Sequence, residues 1–356
     1  MDTVRGPRSC QSDYPEHVIT RDLRCAIASA VAAAGFGRPA DPGLRKTGTP
    51  GQYAASVALT LGHDPRETAQ SLAARLADEQ WIARVEITGP GYLTITVTPE
   101  TLAAVADNIT NAGPACVTSD ALAGLTVPAT PPGDPLAAPT WEKARAALAA
   151  QLTVRLAAAA GATVAESAAD LAPVPPAAGQ RQETAIAAAV AFAGRDAVTF
   201  TLARAIPGKP LRVDPEIMAR HVLGNPAYAV RYAHARAVSG VRWAATSSAA
   251  VTPGLAGVPL CPPTDPGELA LLDALSWLPE RVATAARRGR PDEFARYLED
   301  LASVTVDILR STSHPDCASP DWAAAPGSDR LTLAMAARTG LAAGLGLLGV
   351  SAPDRL

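Results

Sequence analysis

Hydrophobic positions in the first third of the chain follow a helical period before they follow a strand period. Leu23, Ile27 and Val31 recur at helical spacing and predict a helix that ends near Gly35 or Gly37. A second helix is expected after Gly51. The chain therefore begins its organised part with helical segments that bury one face.

A β-hairpin and its flanking helices complete this first module. Asp64-Pro65 predicts a helix start, because Asp caps free backbone N–H groups and Pro fits the first turn. Residues 82–87 lead into Gly89-Pro90-Gly91, and strict alternation follows over 92–97, which predicts two strands across a tight turn. A closing helix is expected over 101–111. The sequence therefore predicts a small α/β module over residues 16–112.

The rest of the chain is predicted to be a linker followed by helices. Residues 113–182 are predicted to be a linker that contains one helix, at about 141–161. Its first part, residues 113–139, is rich in Pro, Gly, Ala and Thr and is predicted to be without regular structure. Residues 183–222 are typical of a helical connector, and residues 223–356 of an all-helical bundle. The predicted fold class is α+β, with a small N-terminal α/β module followed by a mainly α-helical C-terminal bundle.

Composition and charge narrow the classes of function. The 356 residues are 48% hydrophobic with a formal net charge of -3, so any contact with RNA must be local rather than global. The five cysteines are far apart and have no neighbouring His at metal-ligand spacing, which indicates reduced thiols and no metal site. No signal peptide or membrane span is recognisable, and a soluble, cytoplasmic protein is expected.

The C-terminal motifs resemble those of a known family. Residues 225–236 read NPAYAVRYAHAR and resemble NPxYYVQYAHAR, the helix that opens the anticodon-binding domain of arginyl-tRNA synthetases. Residues 297–302 (YLEDLA) and 347–355 (LLGVSAPDR) resemble that domain's YLxDLA and LLGISAPER elements. Residues 194–197 (GRDA) resemble the GADAxR turn before it. The resemblance implies a DALR anticodon-binding domain that contacts tRNA.

The N-terminal module resembles the same family's N-terminal additional domain. Residues 51–58 (GQYAASVA) are similar to GDYASNVA, residues 64–67 (DPRE) to NPRE, and residues 89–93 (GPGYL) to GPGFIN. In the family this domain leans on the outer corner of the tRNA near the D-loop. Thr94 stands where the family usually has Asn. The resemblance makes these residues candidate tRNA contacts: Tyr53, Tyr92 and Thr94.

The catalytic centre of the family has no counterpart between these two ends. Family members carry an ATP- and arginine-binding Rossmann-like domain there, with a His-x-Gly-His signature at the start of its first helix. The helix at 141–161 resembles the later turns of that signature helix, but its start reads Thr140, Trp141, Glu142, Lys143. A carboxylate and an indole cannot replace a ring donor and a glycine against a nucleotide. The resemblance implies a largely deleted catalytic domain, with no catalytic residue and no cofactor.

Two groups of side chains in the predicted bundle are candidate tRNA contacts. Tyr228, Tyr232 and Arg236 recur every four residues on one helix, where the tyrosines either stack bases or pack inside the bundle. Arginines from two parts of the bundle form either a local phosphate-binding face or ordinary solvated charge. These arginines are Arg231, Arg236, Arg287, Arg288, Arg290 and Arg296.

Three functions follow from these observations. The leading hypothesis is a non-catalytic protein that binds an arginine-type tRNA and serves a tRNA-modifying or tRNA-using enzyme, with no role for DNA or membranes. The first alternative is a protein-interaction or regulatory module that no longer binds tRNA. The second is arginine–tRNA ligation, or tRNA-dependent transfer, that needs a partner subunit.

Overall fold

The computed structural model describes residues 19–37, 41–62, 64–165, 185–247, 265–311 and 327–356. Its N-terminal elements are α1 (Ile19–Ala33), β1 (Arg45–Lys46), β2 (Gln52–Ala55), α2 (Pro65–Leu76), β3 (Ile82–Thr88), β4 (Tyr92–Val97), α3 (Pro99–Ala103) and α4 (Val105–Ala112). The strands form one antiparallel sheet in the order β1-β2-β4-β3. The predicted hairpin is confirmed. The helix expected after Gly51 is wrong, because residues 52–55 pair with β4 as a strand.

The sheet has one buried and one outward face. Leu93, Ile95 and Val97 of β4 are buried against the helices, and the residues between them face outward. The turn between β3 and β4 lies against the start of α2. Gly91 has a φ of +143°, and a Cβ atom there would lie 2.7 Å from the carbonyl oxygen of Pro65. Glycine is therefore required where the hairpin approaches this helix.

The segment between the two predicted modules is more ordered than a linker. It contains β5 (Thr126–Val127), α5 (Trp141–Ala159) and β6 (Thr163–Val164). Strands β5 and β6, which precede and follow α5 in the chain, pair with each other in parallel. The helix expected at about 141–161 is therefore present. The prediction of a plain linker over 113–139 is wrong, because several of its side chains are buried: Cys116, Val117, Leu122 and Leu136. Residues 166–184 lie outside the described ranges.

The C-terminal elements are helices. They are α6 (Ala185–Ala193), α7 (Arg195–Arg204), α8 (Pro215–Ala219), α9 (Pro226–Ser247), α10 (Pro266–Ser276), α11 (Leu278–Arg288), α12 (Pro291–Ser311) and α13 (Gly327–Leu347). Helices α9, α12 and α13 pack against one another, and α7 packs against α9 and α12. Together with the small sheet, this bundle confirms the predicted α+β fold class.

The N-terminal module docks directly on the C-terminal bundle. Helix α4 packs against α13, and α1 packs against α11. Arg24 of α1 donates to Glu280 of α11 at 2.5 Å and 2.8 Å, and both side chains are buried. Asp273 of α10 accepts from the Gly51 backbone at 3.3 Å and forms an ion pair with Lys46 at 2.8 Å. We call these contacts the module interface.

Candidate nucleic-acid interface

Three aromatic rings are stacked at the N-terminal end of α9. The ring centroids of His221 and Tyr228 are 5.3 Å apart with planes 13° apart, and those of Tyr228 and Tyr232 are 5.7 Å and 24°. Val230 and Ala233 on the other side of the helix are fully buried, which fixes the orientation of α9. Both tyrosines are half-buried and His221 is exposed. We call this stack, which runs from the bundle to solvent, the ring column.

A buried amide holds the loop that carries the outermost ring. Asn225 is 4% exposed, and its Nδ2 donates to the carbonyl oxygens of Met218 and Arg220, each at 2.8 Å. Pro226 then begins α9 at a position where no backbone N–H is needed. Because Asn225 fixes the backbone on both sides of α8's end, His221 is held over Tyr228.

Three of the motif segments meet in one polar cluster. Asp196, at the start of α7, accepts a hydrogen bond from the Ser351 backbone at 3.1 Å and another from its hydroxyl. The same carboxylate forms an ion pair with Arg231 of α9 at 3.3 Å. Each of these residues comes from a different motif quoted above. We call this group the tail cluster, because it attaches the last residues of the chain to α7 and α9.

Two further contacts hold the tail along α9. The Nδ1 atom of His234 lies 2.9 Å from the Pro353 carbonyl oxygen, and it must carry the proton to donate. Burial lowers the pKa of His234, which keeps the ring neutral at pH 7. Arg242 donates to the backbone oxygen of Asp354 at 3.2 Å. His234 is therefore a buried structural residue that anchors the tail.

The predicted arginine face is not a single surface. Helix α11, which carries Arg287 and Arg288, packs against α5 and α12, whereas α9 packs against α7, α12 and α13. Most of these arginines have acidic partners: Asp41 for Arg287 (2.7 Å), Glu293 for Arg288 (3.0 Å), Asp292 for Arg290 (2.7 Å) and Asp292 for Arg296 (4.0 Å). The hydrogen bonds that Arg290 donates to the Asp292 carboxylate raise the pKa of the guanidinium. Of the predicted set, Arg231 and Arg236 lie on α9 with the ring column, and Arg231 is itself paired with Asp196.

The tyrosines of the N-terminal module have opposite surroundings. Tyr53 is fully buried, its hydroxyl lies 2.8 Å from the Ser276 hydroxyl, and its ring packs against Trp277 at 5.4 Å. Burial raises the pKa of the Tyr53 hydroxyl. Tyr53 therefore offers no surface to RNA, which corrects its place among the candidates. Tyr92 is 37% exposed and Thr94 is half-buried on the outward face of the sheet, so both stay accessible.

The start of α5 is built as a helix cap. The Thr140 hydroxyl accepts from the Lys143 backbone N–H at 3.3 Å, and Glu142 lies in the first turn, where it suits the helix dipole. Trp141 is half-buried against the core, while Glu142 and Lys143 are exposed. These residues account for a stable helix start. Each strand flanking α5 contains only two residues.

Other kinds of site have little support in the described ranges. Among those residues, no group of three or more His, Cys, Asp or Glu side chains could hold a metal ion. Cys25 is half-buried and Cys116 is buried, and neither takes part in a disulfide. The remaining cysteines lie outside the described residues: Cys10, Cys261 and Cys317. No single described helix is long and apolar enough to cross a membrane, and the bent pair α6 and α7 passes on length and composition only.

Several residues of this surface were not assigned a role from sequence. Asp196, Asn225 and Ser351 lie within quoted motifs, but no local pattern indicates that they contact one another or the loop before α9. His221 lies outside every motif, and nothing in the sequence separates it from an ordinary exposed histidine. Its place in the ring column follows only from the fold of residues 218–228.

Family models match both ends of the chain. The model of the DALR anticodon binding domain matches residues 230–356, and that of the arginyl tRNA synthetase N terminal domain matches residues 18–97. The arginine–tRNA ligase of Frankia alni is 37% identical over 166 residues, which cover 46% of this chain and 29% of that protein. The ligase of Acidithiobacillus ferrooxidans is 37% identical over 163 residues, which cover 46% and 27%. The aligned part thus spans less than a third of these curated relatives.

A solved structure agrees on the fold. The arginyl-tRNA synthetase of Thermus thermophilus superimposes with a TM-score of 0.55 at 15% identity, covering 95% of this chain and 100% of that chain. At this identity the similarity concerns the fold alone. The two family models lie in the same order as the two modules of the structure. The chain belongs to the arginyl-tRNA synthetase family, with that family's N-terminal domain before its DALR anticodon-binding domain.

Proposed function

We propose that this chain is a non-catalytic tRNA-binding protein that recognises an arginine-type tRNA for another, tRNA-modifying or tRNA-using, enzyme of the cytoplasm. The observation that carries the proposal is the tail cluster. Asp196, Arg231 and Ser351 come from three distant motifs of the anticodon-binding domain, and they meet beside a half-exposed ring column. The surface on which the family resemblance concentrates is therefore folded and accessible.

The chemistry of this surface suits RNA. Aromatic rings stack unpaired bases without regard to sequence, at about 1–3 kcal/mol per base. Arg231 and Arg236 are half-buried on α9, and Arg242 is exposed, so cations follow the helix beyond the ring column. Because the net charge of the chain is -3, attraction to phosphate is confined to such local groups. Binding should therefore weaken steeply as salt is added.

The non-catalytic part of the proposal rests on α5. Its first residues, Thr140 to Lys143, provide a cap and a packed indole instead of ring donors and a glycine. The parallel strand pair around α5 has two residues on each strand. Dinucleotide sites of doubly wound folds lie at the carboxyl ends of a sheet of several parallel strands, whereas β5 and β6 form a sheet of two.

Filter binding to individual tRNAs at low and moderate salt tests the proposal. We expect an arginine tRNA to bind more tightly than bulk RNA, with affinity that falls as salt rises. Tyr228→Ala should weaken binding, whereas Arg75→Ala, which removes an exposed charge from α2, should not. Equal affinity for every RNA would contradict the proposed function.

Arginine-dependent exchange between ATP and pyrophosphate tests the absence of ligation. The purified chain should give no exchange above a reaction without arginine, with or without added tRNA. Exchange by the purified chain would establish catalysis and overturn the proposal. If exchange arises only after cell extract is added, the alternative of a ligase completed by a partner subunit would be favoured.

An exposed apolar surface favours protein interaction as a second candidate function. Phe192 of α6 is 63% exposed and Ile217 of α8 is 51% exposed, and these two helices pack against each other. Exposed apolar groups of this size often mark contacts with other proteins. Phe192→Asp combined with Ile217→Asp should then lose a co-purifying protein but keep RNA affinity. A co-purifying protein that stays bound to the double variant would remove the support for this candidate.

A further inference from the structure

We infer that His221 is the outer platform of the ring column, where it stacks an unpaired nucleobase while Arg220 contacts the neighbouring phosphate. The inference rests on the proposed RNA-binding function and names the part of the RNA that this site takes. It concerns single-stranded RNA, such as a tRNA loop, and not a duplex. His221 and Arg220 lie outside the family motifs quoted above.

The geometry of the column leaves one stacking position open. The planes of Tyr232, Tyr228 and His221 are turned by only 24° and 13° from ring to ring. Tyr228 covers one face of the imidazole, and the His221 residue as a whole is exposed. Among the described residues no second ring stacks on the imidazole, so a fourth planar group would continue the column beyond His221. Offset stacking of this kind is the preferred geometry between aromatic rings.

The platform is fixed before any ligand arrives. Asn225 uses both hydrogens of its buried amide on the carbonyl oxygens of Met218 and Arg220, and its own backbone N–H donates to Val222 at 2.9 Å. These bonds close the loop that carries His221 from both sides. Because the loop is already ordered, a base that stacks there incurs little additional entropy cost in the protein.

The surroundings of His221 match a nucleotide. The two residues that follow His221 in the loop are apolar and exposed, Val222 by 52% and Leu223 by 40%. Arg220 is exposed, and within the part of the chain that the structure describes it has no acidic partner. A planar apolar face beside an uncompensated guanidinium suits a base joined to a phosphate. A base inside a duplex cannot reach such a platform, because its faces are already covered.

A hairpin RNA with 2-aminopurine in its loop tests the inference. This base analogue loses fluorescence when it stacks, and the same stem closed as a full duplex is the matched RNA control. The wild-type chain should bind the hairpin and quench its fluorescence. His221→Ala should lower affinity about 5- to 150-fold and abolish the quenching. His221→Phe should keep both, because it retains a planar ring.

The cation is tested separately. Arg220→Ala should reduce the slope of log affinity against log salt by about 0.7, the value for one contact with single-stranded phosphate. Arg75→Ala on α2 removes an equivalent exposed charge and should leave the slope unchanged. An unchanged slope in Arg220→Ala would contradict the phosphate contact.

The outcomes separate this inference from the proposed function. If the wild-type chain binds neither these RNAs nor any tRNA, both are overturned. If it binds a tRNA but not the hairpin, the inference alone fails. If it binds the hairpin but His221→Ala binds equally well, or if the duplex binds as tightly as the hairpin, the inference alone fails. His221→Ala should not lower the thermal unfolding midpoint, since the side chain is exposed, so lost quenching would not reflect unfolding.

Discussion

The module interface and the tail cluster use the same kinds of side chain at very different depths. In the interface, Arg24 is 9% exposed and Glu280 is 4% exposed. In the tail cluster, Arg231 and Asp196 are each 24% exposed. The same contrast holds for tyrosines, since Tyr53 is fully buried and Tyr228 is half-buried. Residue type therefore does not separate structural groups from candidate RNA contacts in this protein, whereas depth does.

The depth of an ion pair decides what its loss costs. Water screens a surface pair, and breaking it changes stability by about 0–1 kcal/mol. A buried pair has lost its hydration, so removing one partner leaves a charge with no compensation. The comparison thus predicts that changes in the module interface alter folding, while changes around the ring column alter binding.

The largest expected effect is on the buried pair. Glu280→Gln removes the buried carboxylate that accepts two hydrogen bonds from Arg24 and leaves the more exposed Asp41, 3.2 Å away, as its acidic partner. The change should lower the free energy of unfolding by about 3 kcal/mol. Urea denaturation measures the change. Glu293→Gln, which removes the acidic partner of the exposed Arg288, is the matched control and should change stability by less than about 1 kcal/mol. Equal losses in both variants would remove the distinction by depth.

The second largest expected effect is a loss of tRNA affinity. Tyr228→Ala removes the middle ring of the column and should weaken tRNA affinity about 5- to 150-fold. Its effect on unfolding should be smaller than that of Glu280→Gln, because the ring is only half-buried. Filter binding and urea denaturation of the same preparation measure the two quantities. A large loss of stability with unchanged affinity would make this ring structural.

A conservative change at Tyr53 should lower stability and leave tRNA affinity unchanged, the reverse of the result expected for Tyr228→Ala. Tyr53→Phe keeps the buried ring and removes the hydroxyl that contacts Ser276, which should lower stability by about 1 kcal/mol. Affinity for tRNA should not change, because the side chain has no exposed surface. A weaker complex with tRNA would mean that the module interface takes part in binding.

The smallest predicted effect is a pH dependence. Burial lowers the pKa of His234 below its value in the unfolded chain, so the unfolded state binds the proton more readily. The stability that this residue contributes is present above the unfolded-state pKa of about 6.5, and it is lost as the pH falls from there through the lower pKa of the folded state. Asp354 favours the charged ring and Arg338 opposes it. His234→Gln should flatten the dependence of the unfolding midpoint on pH between pH 5 and 7.

Local signals in the sequence were sufficient for many elements. Asp64 caps α2 through the backbone N–H groups of Arg66 and Glu67, each at 2.9 Å, as its position before Pro65 predicts. The hairpin at Gly89 to Gly91 is confirmed as well. Such features depend on residues close together in the chain, so their physical cause is visible in a short window. The family resemblance had the same origin, since each of its motifs is short and contiguous.

Contacts between residues that are distant in the chain could not be predicted from a short stretch of sequence. Residues 52–55 carry no decisive strand signal, and they became β2 because β4 offered an edge for pairing. The arginines at the end of α11 and in α12 were predicted to form a phosphate-binding face. In the structure most of them form ion pairs with acidic side chains, as Arg287 does with Asp41. A guanidinium attracts carboxylate and phosphate alike, and only the folded chain decides which is near.

By itself, the sequence determined the order of the modules, the start of α2, the altered start of α5 and the α+β class. Only the tertiary structure decided that Tyr53 is buried, that His221 completes a ring column, and that the two modules share one interface. The pair of Arg24 and Glu280 joins positions 256 residues apart. Contacts of that kind depend on how whole elements pack, because burial and partner choice are set by every neighbour at once.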